Sequence, residues 1–272
     1  MTVPIDTAEA NMINLASIDL DRVLRLYEQY AGDLARVRRY QRLLYEERFS
    51  EKRARANAEL LLRLAADMLL PAGLGHVSWA QFDDLSAEIT YLLLRDERPE
   101  VVVEISPCGG WSTSWILNAL RDSGCGRLVS FDVIDDSVVK VPADLSAGIR
   151  TFHLGDVRQS PHIPARIDYL FVDSDHTGPF AKWYVQNVFP RVRSGAVVSV
   201  DDVYHDGGPA ISGGEGPVVL DWLERRGIEY LTIAPSQNRA AFDAVVQRRR
   251  AQGIETNIHF SGTNPALWFV MP

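Results

Sequence analysis

Acidic side chains end or follow four apolar runs between residues 128 and 200, and a histidine accompanies one of them. In chain order the acids are Asp132, Asp156, Asp173, Asp175, Asp201 and Asp202. Carboxylate oxygens are the hard ligands that magnesium prefers in proteins. A carboxylate, or a histidine such as His176, can also remove a proton from a reacting hydroxyl group. These residue types indicate a site that binds polar groups, holds a cation or moves a proton.

Seven apolar runs, including the four that carry these acids, are predicted to be strands of one sheet. They lie at residues 101–105, 128–133, 149–154, 167–172, 196–200, 229–233 and 267–271. Helical segments are interspersed with them, which is typical of a doubly wound, mostly parallel, Rossmann-like α/β domain. In such a domain ligands bind at the carboxyl ends of the strands. We therefore expect the acids to share one crevice.

The stretch 101–120 reads VVVEISPCGGWSTSWILNAL and predicts a buried strand, a small-residue turn and a helix. The glycines let the backbone pass close to a ligand, and Ser112 or Thr113 can cap the helix. The turn lacks the G-x-G-x-x-G spacing of dinucleotide-binding proteins, and Pro107 and Trp111 would crowd a pyrophosphate. A ligand with a ribose and an adenine but no phosphate fits this turn better.

The strand ends carry groups that suit the separate parts of S-adenosylmethionine. Asp132 follows the second strand and can accept hydrogen bonds from ribose hydroxyls. Gly155 and Asp156 follow the third strand and can hold the edge of an adenine. Glu104, with the glycine turn, can hold an amino-acid tail. The sequence therefore favours S-adenosylmethionine as the cofactor.

Residues 95–235 resemble the class I S-adenosylmethionine-dependent methyltransferases. The pattern E-I-x-x-x-x-G-x-S-T, from Glu104 to Thr113, is similar to their first motif. This variant resembles the one found in the metal-dependent sugar O-methyltransferases that act on macrolides and aminocoumarins. Later motifs are matched in order and spacing at 131–132, 154–156, 173–176 and 201–202. Ser106 stands where that family usually has its first glycine, which predicts a tighter turn or an altered cofactor affinity.

The resemblance implies a role for each candidate residue. The expected cofactor contacts are Glu104, Ser106, Gly110, Ser112, Thr113, Asp132, Gly155, Asp156 and Asp173. The expected magnesium ligands are Asp173, Asp201 and Asp202, with His176 as the base. Asp175 is an alternative base, or it orients His176. The competing interpretations are a helix cap at 201–202, a turn residue at 173 and a structural histidine at 176.

Three functions remain in competition at this level. The first is a magnesium-dependent O-methyltransferase that acts on a hydroxyl of a sugar or polyol, on a glycoside natural product or a glycan. A cation bound to that hydroxyl would lower its pKa and fix its direction. The second is a metal-independent small-molecule methyltransferase that relies on His176 alone. The third is a non-catalytic α/β module that dimerises through its N-terminal helices.

The sequence predicts two parts, a helical segment at 1–95 and a cofactor-binding domain at 96–272 with a helical insert at 235–265. Residues 18–70 are helical in character, and a break at 71–75 precedes a second helix that begins at Ser78. A 4-3-4-3 seam lies on the first of these helices, at Val23, Tyr27, Tyr30, Leu34, Val37, Gln41 and Leu44. This seam either packs on the chain's own core or pairs with a second copy. A glycine-rich loop at 206–217 is either a lid over the crevice or a passive connection.

Composition narrows the partners and the compartment. The 272-residue chain has a formal net charge of −8, which argues against broad nucleic-acid or anionic-membrane surfaces. Two cysteines are too few for a disulfide framework and indicate a reducing compartment. We see no apolar run near the ~18 residues of a membrane span and no secretion signal. We therefore expect a cytoplasmic protein with a small-molecule or glycan acceptor.

Overall fold

A computed structural model gives the fold, and it describes residues 18–50, 80, 82–204, 213–259 and 266–272. Within these ranges the strands are β1 (Val101–Ile105), β2 (Arg127–Asp132), β3 (Arg150–Leu154), β4 (Ile167–Val172), β5 (Val192–Val200), β6 (Tyr230–Thr232) and β7 (Leu267–Val270). They form one sheet in the order β3-β2-β1-β4-β5-β7-β6. The pairs among β1 to β5 are parallel, whereas β7 is antiparallel to both β5 and β6. The predicted mostly parallel, seven-stranded sheet is confirmed.

Helices cover the sheet and connect its strands. In chain order they are α1 (Leu20–Gln29), α2 (Ala31–Leu44), α3 (Asp84–Glu97), α4 (Trp111–Ser123), α5 (Asp136–Lys140), α6 (Ala143–Ser146), α7 (Gly178–Asn187), α8 (Glu215–Glu224) and α9 (Arg239–Ala251). A π-helical turn, Tyr45–Phe49, extends α2. No helix in the described ranges is long and apolar enough to span a membrane.

Two hydrophobic clusters lie on opposite faces of the sheet. Val102 belongs to the cluster under α1 to α4 and α9, and its neighbour Val103 to the cluster under α7 and α8. This alternation follows from the two-residue period of a strand. Parallel sheets are covered on both faces in this way, which leaves the carboxyl ends of the strands as the accessible edge.

The seam of the N-terminal helices packs inside the chain. Its members Val23, Tyr27, Leu34, Val37, Gln41 and Leu44 are buried, and Tyr30 is partly buried. The Tyr27 hydroxyl donates to Glu88 of α3, and Arg38 forms an ion pair with the same carboxylate. Of the two alternatives for this seam, the structure has the intramolecular one. The buried members are not available to a second copy, and a homodimer stays a prediction.

The predicted helix boundaries need correction. The segment from residue 18 is interrupted at Tyr30 and ends at Phe49, while 51–79, including the predicted break and the start at Ser78, lies outside the described residues. The next helix among the described residues begins at Asp84, and the Asp83 side chain caps it by accepting from the Leu85 N–H. The helices α1 to α3 share one hydrophobic cluster with α4, so the N-terminal segment packs on the predicted cofactor domain.

The fifth strand is longer than predicted. It begins at Val192, which pairs with Ile167, and the register then shifts before Val197 pairs with Tyr169. Gly195, which the sequence places in a turn, has a φ of +78° and lies within this irregular part of β5. Between these two pairs β4 advances by two residues and β5 by five, so β5 accommodates three extra residues without ending. The strand therefore still delivers its terminal acids to the same edge as β4.

Candidate functional site

The turn after β1 is built from residues in the left-handed conformation. Ser106, Cys108 and Gly110 have φ values of +64°, +48° and +87°. Ser106 therefore keeps the conformation that glycine adopts most readily, at a cost on the order of 1 kcal/mol for an L residue. A Cβ on Gly110 would lie 2.5 Å from Val141 Cγ2, so the turn needs glycine at that point.

Glu104 is bound to hydroxyls of the neighbouring elements, and its role as a cofactor ligand stays a prediction. Its carboxylate is fully buried and accepts hydrogen bonds from the hydroxyls of Ser112, Thr113 and Ser130, at 2.8 to 2.9 Å. Burial raises the pKa of Glu104, while the positive charge of Arg150 and these hydroxyls oppose the rise. The carboxylate thus ties β1 to α4 and β2.

Ser112 and Thr113 take part in this tie and do not cap α4. The N-cap residue is Gly110, which offers no side-chain hydrogen bond. Both hydroxyls turn back toward β1 because Glu104 is the stronger acceptor within their reach. The Thr113 side chain is fully buried, and its contact with the cofactor stays a prediction. Ser112 still borders a small recess beside Asp173.

Asp132 ends β2 and is held by backbone N–H groups. Its carboxylate accepts from the N–H of Cys108 at 2.7 Å and from the N–H of Ile134 at 3.2 Å. Burial raises the pKa of Asp132, and the backbone hydrogen bonds counter that rise. The acid therefore fixes the turn after β1 and also lies in the wall of the main cleft.

A cleft with a cavity volume of about 150 Å³ opens at the carboxyl ends of β1 to β4. Its lining is Ile105, Ser106, Phe131, Asp132, Val133, Gly155, Asp156, Val157, Arg158, Ser174, Asp175 and Phe180. This volume is smaller than the ~300–1,000 Å³ of typical small-molecule sites, and the cleft is partly open to solvent. Five residues that the sequence predicts at the site are in this wall: Ser106, Asp132, Gly155, Asp156 and Asp175. The expectation of one shared crevice is met for these five.

Asp156 is paired with the cationic side chain of Arg158, which the sequence patterns do not predict. Its carboxylate accepts three hydrogen bonds from the Arg158 guanidinium, at 2.7 to 3.0 Å, and a fourth from the Arg158 N–H. The bonds from Arg158 lower the pKa of Asp156. A ligand that contacts this carboxylate must share it with Arg158. Gly155 precedes it with a φ of +126° and donates its N–H to the Asp132 carbonyl at 2.7 Å.

An acidic cluster lies beside the cleft, where β4 and β5 end. Asp173, His176 and Asp202 each place a potential ligand atom within 4.8 Å of the others. His176 Nε2 is 3.1 Å from Asp202 Oδ2 and 3.7 Å from Asp173 Oδ1. Burial and the nearby Asp202 carboxylate raise the pKa of Asp173 to about 8. The cluster thus concentrates negative charge that a cation would neutralise.

Asp201, the third predicted ligand, is not part of this group of ligand atoms. It is 3% exposed, and its Oδ1 has no hydrogen-bond partner among the described residues. Burial, followed by the charges of Asp202 and Asp173, raises its pKa well above the usual range. Asp202 has a φ of +55°, so the backbone turns between the two acids. The role of Asp201 as a ligand stays a prediction.

Glu215 is a member of the site that sequence reasoning missed. Its Oε2 lies 3.0 Å from His176 Nδ1, and its Oε1 accepts from the Tyr184 hydroxyl at 2.7 Å. Burial opposes a charge on His176, but the bond to Glu215 and the charges of Asp173 and Asp202 raise its pKa to about 9. Glu215 is 39 residues from His176 in a glycine-rich stretch, and no spacing rule points to it.

Asp175 is predicted either to act as an alternative base or to orient His176. Its Oδ1 accepts from the N–H and the hydroxyl of Thr177, at 3.2 and 3.1 Å. The residue is exposed and borders the cleft. Its role as an alternative base stays a prediction. Residues 205–212 of the predicted lid loop lie outside the described residues.

Comparison with known families finds a similarity in the part of the chain that carries this site. Residues 103–203 match the family described as "Methyltransferase domain". The match includes the turn after β1, Asp132, the cleft wall and the acidic cluster. This part of the chain is therefore similar to a methyltransferase domain. No curated protein sequence matches the chain significantly.

Solved structures share the fold at low sequence identity. A putative O-methyltransferase from Klebsiella pneumoniae is 17% identical, with a TM-score of 0.50 over 79% of this chain and 89% of that chain. An O-methyltransferase from Bacillus cereus in complex with SAH is 16% identical, with a TM-score of 0.50 over 80% and 91%. A putative caffeoyl-CoA O-methyltransferase from Staphylococcus aureus is 11% identical, with a TM-score of 0.50 over 86% and 99%. The chain has the fold of these methyltransferases.

Proposed function

We propose that the protein is an S-adenosylmethionine-dependent O-methyltransferase that uses a divalent cation. The observation that carries the proposal is the position of the acidic cluster directly beside the cleft. Ser174 and Asp175 line the cleft, and the adjacent Asp173 and His176 belong to the cluster. A methyl donor in the cleft would therefore lie next to groups that hold and deprotonate an acceptor. The methyltransferase domain match and the fold support the same reaction.

The cleft fits the parts of the proposed cofactor. Asp132 is an acceptor-only group when ionised, which suits two neighbouring ribose hydroxyls. Phe131 and Val157 add apolar surface beside Gly155, where an adenine ring can lie. Bound S-adenosylmethionine supplies a methyl group on a positively charged sulfur, ready for in-line displacement by an oxygen. The chain's task is to position that oxygen and to take its proton.

The acidic cluster fits a divalent cation. Its oxygen donors come from Asp173 and Asp202, and the buried Asp201 Oδ1 without a hydrogen-bond partner adds a further hard donor nearby. Burial and the neighbouring carboxylates raise the pKa values of Asp173 and Asp201, and His176 offsets only part of this rise for Asp173. A cation held there would supply a Lewis acid that lowers the pKa of an acceptor hydroxyl.

His176 is the residue placed to take the hydroxyl proton. Its Nε2 faces the carboxylates of Asp202 and Asp173, while Nδ1 faces Glu215. Because those carboxylates raise the pKa of His176, neutralisation of their charge would free Nε2 to accept a proton. Asp173 also borders a small recess of about 10 Å³, lined by Phe82, Pro107, Cys108, Gly109, Trp111 and Ser112.

We further propose a sugar or polyol hydroxyl as the acceptor, on a glycoside natural product or a glycan. The support is the variant of the first motif, from Glu104 to Thr113, which resembles that of sugar O-methyltransferases. The test is methyl transfer from S-adenosylmethionine to a panel of glycosylated macrolides, aminocoumarin glycosides and catechols. Each acceptor is assayed with magnesium and with a chelator.

Each outcome of that panel has a distinct meaning. Transfer to a glycoside that is lost with the chelator and restored by excess magnesium would support the proposal. Transfer that survives the chelator would favour the metal-independent methyltransferase. Transfer to catechols alone would refute the sugar assignment. Failure of the protein to bind S-adenosylmethionine would leave the non-catalytic module as the better account.

A further inference from the structure

His176 and Glu215 are joined by the main chain as well as by their side chains. The Glu215 N–H donates to the His176 carbonyl at 2.9 Å, and the Glu215 carboxylate meets His176 Nδ1 at 3.0 Å. A bridge between Thr177 and Gly214 lies next to these bonds. The first residue of α8 is thus fixed against the segment that follows β4, and the spacing between the two side chains is set by the backbone.

The Glu215 carboxylate is buried and is used on both oxygens. The residue is 2% exposed, and the Tyr184 hydroxyl that donates to Oε1 is itself fully buried. Burial of a carboxylate costs free energy unless neighbouring groups donate hydrogen bonds to it, so Glu215 needs donors at this place. The two donors are the phenol of Tyr184 and the imidazole of His176. The carboxylate therefore has a defined orientation.

An ionised carboxylate accepts hydrogen bonds and cannot donate them. His176 must then carry a proton on Nδ1, and the ring is held with Nε2 directed at Asp202 and Asp173. This arrangement selects one ring orientation, so Nε2 is the nitrogen that would take the proton once the charges of Asp202 and Asp173 are neutralised. Rotation of the ring by half a turn about its Cβ–Cγ bond would break the bond to Glu215.

We propose that Glu215 is a positioning residue for methyl transfer, which holds the ring of His176 so that Nε2 faces the acceptor hydroxyl. The inference rests on the proposed function in one respect, namely that His176 takes the acceptor's proton. Glu215 does not contact the acceptor in this role, and it is not a cation ligand. Its removal should therefore lower the rate of transfer and leave the binding of both substrates in place.

The test compares Tyr184→Phe with the double variant Tyr184→Phe/Glu215→Met. The single variant removes one donor and keeps the bond to His176. The double variant then removes a carboxylate that has lost its phenol partner, and methionine fills a similar volume without leaving a buried charge. Imidazole nitrogen NMR on the full chain, labelled with ¹⁵N-histidine, reports the proton on Nδ1 without any acceptor. Titration with S-adenosylhomocysteine reports the cofactor site.

We expect a protonated, hydrogen-bonded Nδ1 in the wild type and in Tyr184→Phe, and an altered Nδ1 signal in the double variant. With an acceptor that the wild type methylates, kcat should fall ~10–100-fold relative to Tyr184→Phe, as for loss of other groups that orient a functional histidine. KM and the affinity for S-adenosylhomocysteine should change by less than about 2-fold, because only the transition state loses the interaction.

Three results would overturn the inference. They are an unprotonated Nδ1 in the wild type, equal kcat values for the single and double variants, and a loss of S-adenosylhomocysteine affinity as large as the loss in kcat. The protonation of Nδ1 is measured on the wild type, so the inference can be tested even if the double variant does not fold. Absence of cofactor binding by the wild type would instead refute the proposed function, while the NMR spectra would still decide whether Glu215 holds His176.

Discussion

The Thr113 hydroxyl lies 2.9 Å from both carboxylate oxygens of Glu104, at the base of the turn that faces the cleft. Ser112 and Ser130 complete the set of donors to the same carboxylate. Strand β1 is thereby fastened to the first turn of α4 and to β2. These hydrogen bonds therefore hold the turn between β1 and α4 on the side away from the cleft, and the side that faces the cleft is left for the ligand.

Replacement of Glu104 by leucine should destabilise the fold. Three buried hydroxyls would lose their shared acceptor, and each unsatisfied group costs about 1–3 kcal/mol. Glu104→Gln should lower the free energy of unfolding by less, because it keeps one carbonyl oxygen as an acceptor. It also removes a carboxyl group whose pKa is raised by burial. Urea unfolding measures both. Glu100→Gln, at an exposed position just before β1, is the control. Equal stability of Glu104→Leu and the wild type would contradict this role.

Replacement of Gly110 by alanine should disturb the cofactor turn. The new Cβ would lie 2.5 Å from Val141 Cγ2, in addition to the strain of a left-handed φ. Gly124→Ala is the matched control, because Gly124 also has a positive φ but has no atom within 4 Å of the added Cβ. We expect a loss of about 1–2 kcal/mol for the control from strain alone and a larger loss for Gly110→Ala.

A second substitution should restore part of the stability that the Gly110→Ala variant loses. Adding Val141→Ala removes the Cγ2 atom that the new Cβ meets, so part of the lost stability should return. Thermal unfolding and titration with S-adenosylhomocysteine measure the effect on the fold and on the cleft. If Gly110→Ala and Gly124→Ala cost the same, the close approach of the turn to α5 is not what requires glycine.

Replacement of Asp132 by alanine should weaken cofactor binding. The change removes the acceptor proposed for the ribose and also the bond that holds the Cys108 N–H. Loss of hydrogen bonds to a charged group costs about 1.5–3 kcal/mol, or roughly 10–100-fold in affinity. Calorimetric titration with S-adenosylhomocysteine measures the loss, with the exposed Asp144→Asn as control. An unchanged affinity would place the ribose elsewhere.

Replacement of Asp202 by asparagine should separate methyl transfer from cofactor binding. Asp202 belongs to the acidic cluster and does not line the cleft, so transfer should fall by about 100-fold or more, since a bound cation contributes several kcal/mol. Affinity for S-adenosylhomocysteine should remain within about 2-fold. Chelation should reduce transfer by the wild type and have little further effect on the variant. If a chelator leaves methyl transfer by the wild type unchanged, the proposed cation has no part in the reaction.

Local patterns predicted the strands and the acids that end them, because hydrophobic runs and turn residues are properties of a few neighbouring positions. The same patterns could not assign Glu104, whose partners are determined by how β1, α4 and β2 pack. The link between His176 and Glu215 joins distant parts of the chain and has no local signal. The N-terminal seam could not be resolved either, since packing within a chain and pairing between chains use one apolar spacing.

The central claim, that the cleft at the strand ends binds S-adenosylmethionine, is tested most directly by calorimetric titration with S-adenosylhomocysteine. The proposed function predicts binding at one site per chain with a dissociation constant on the order of micromolar. It also predicts a rise in the unfolding temperature at saturating ligand. No heat of binding and no thermal stabilisation at high ligand concentration would contradict the claim.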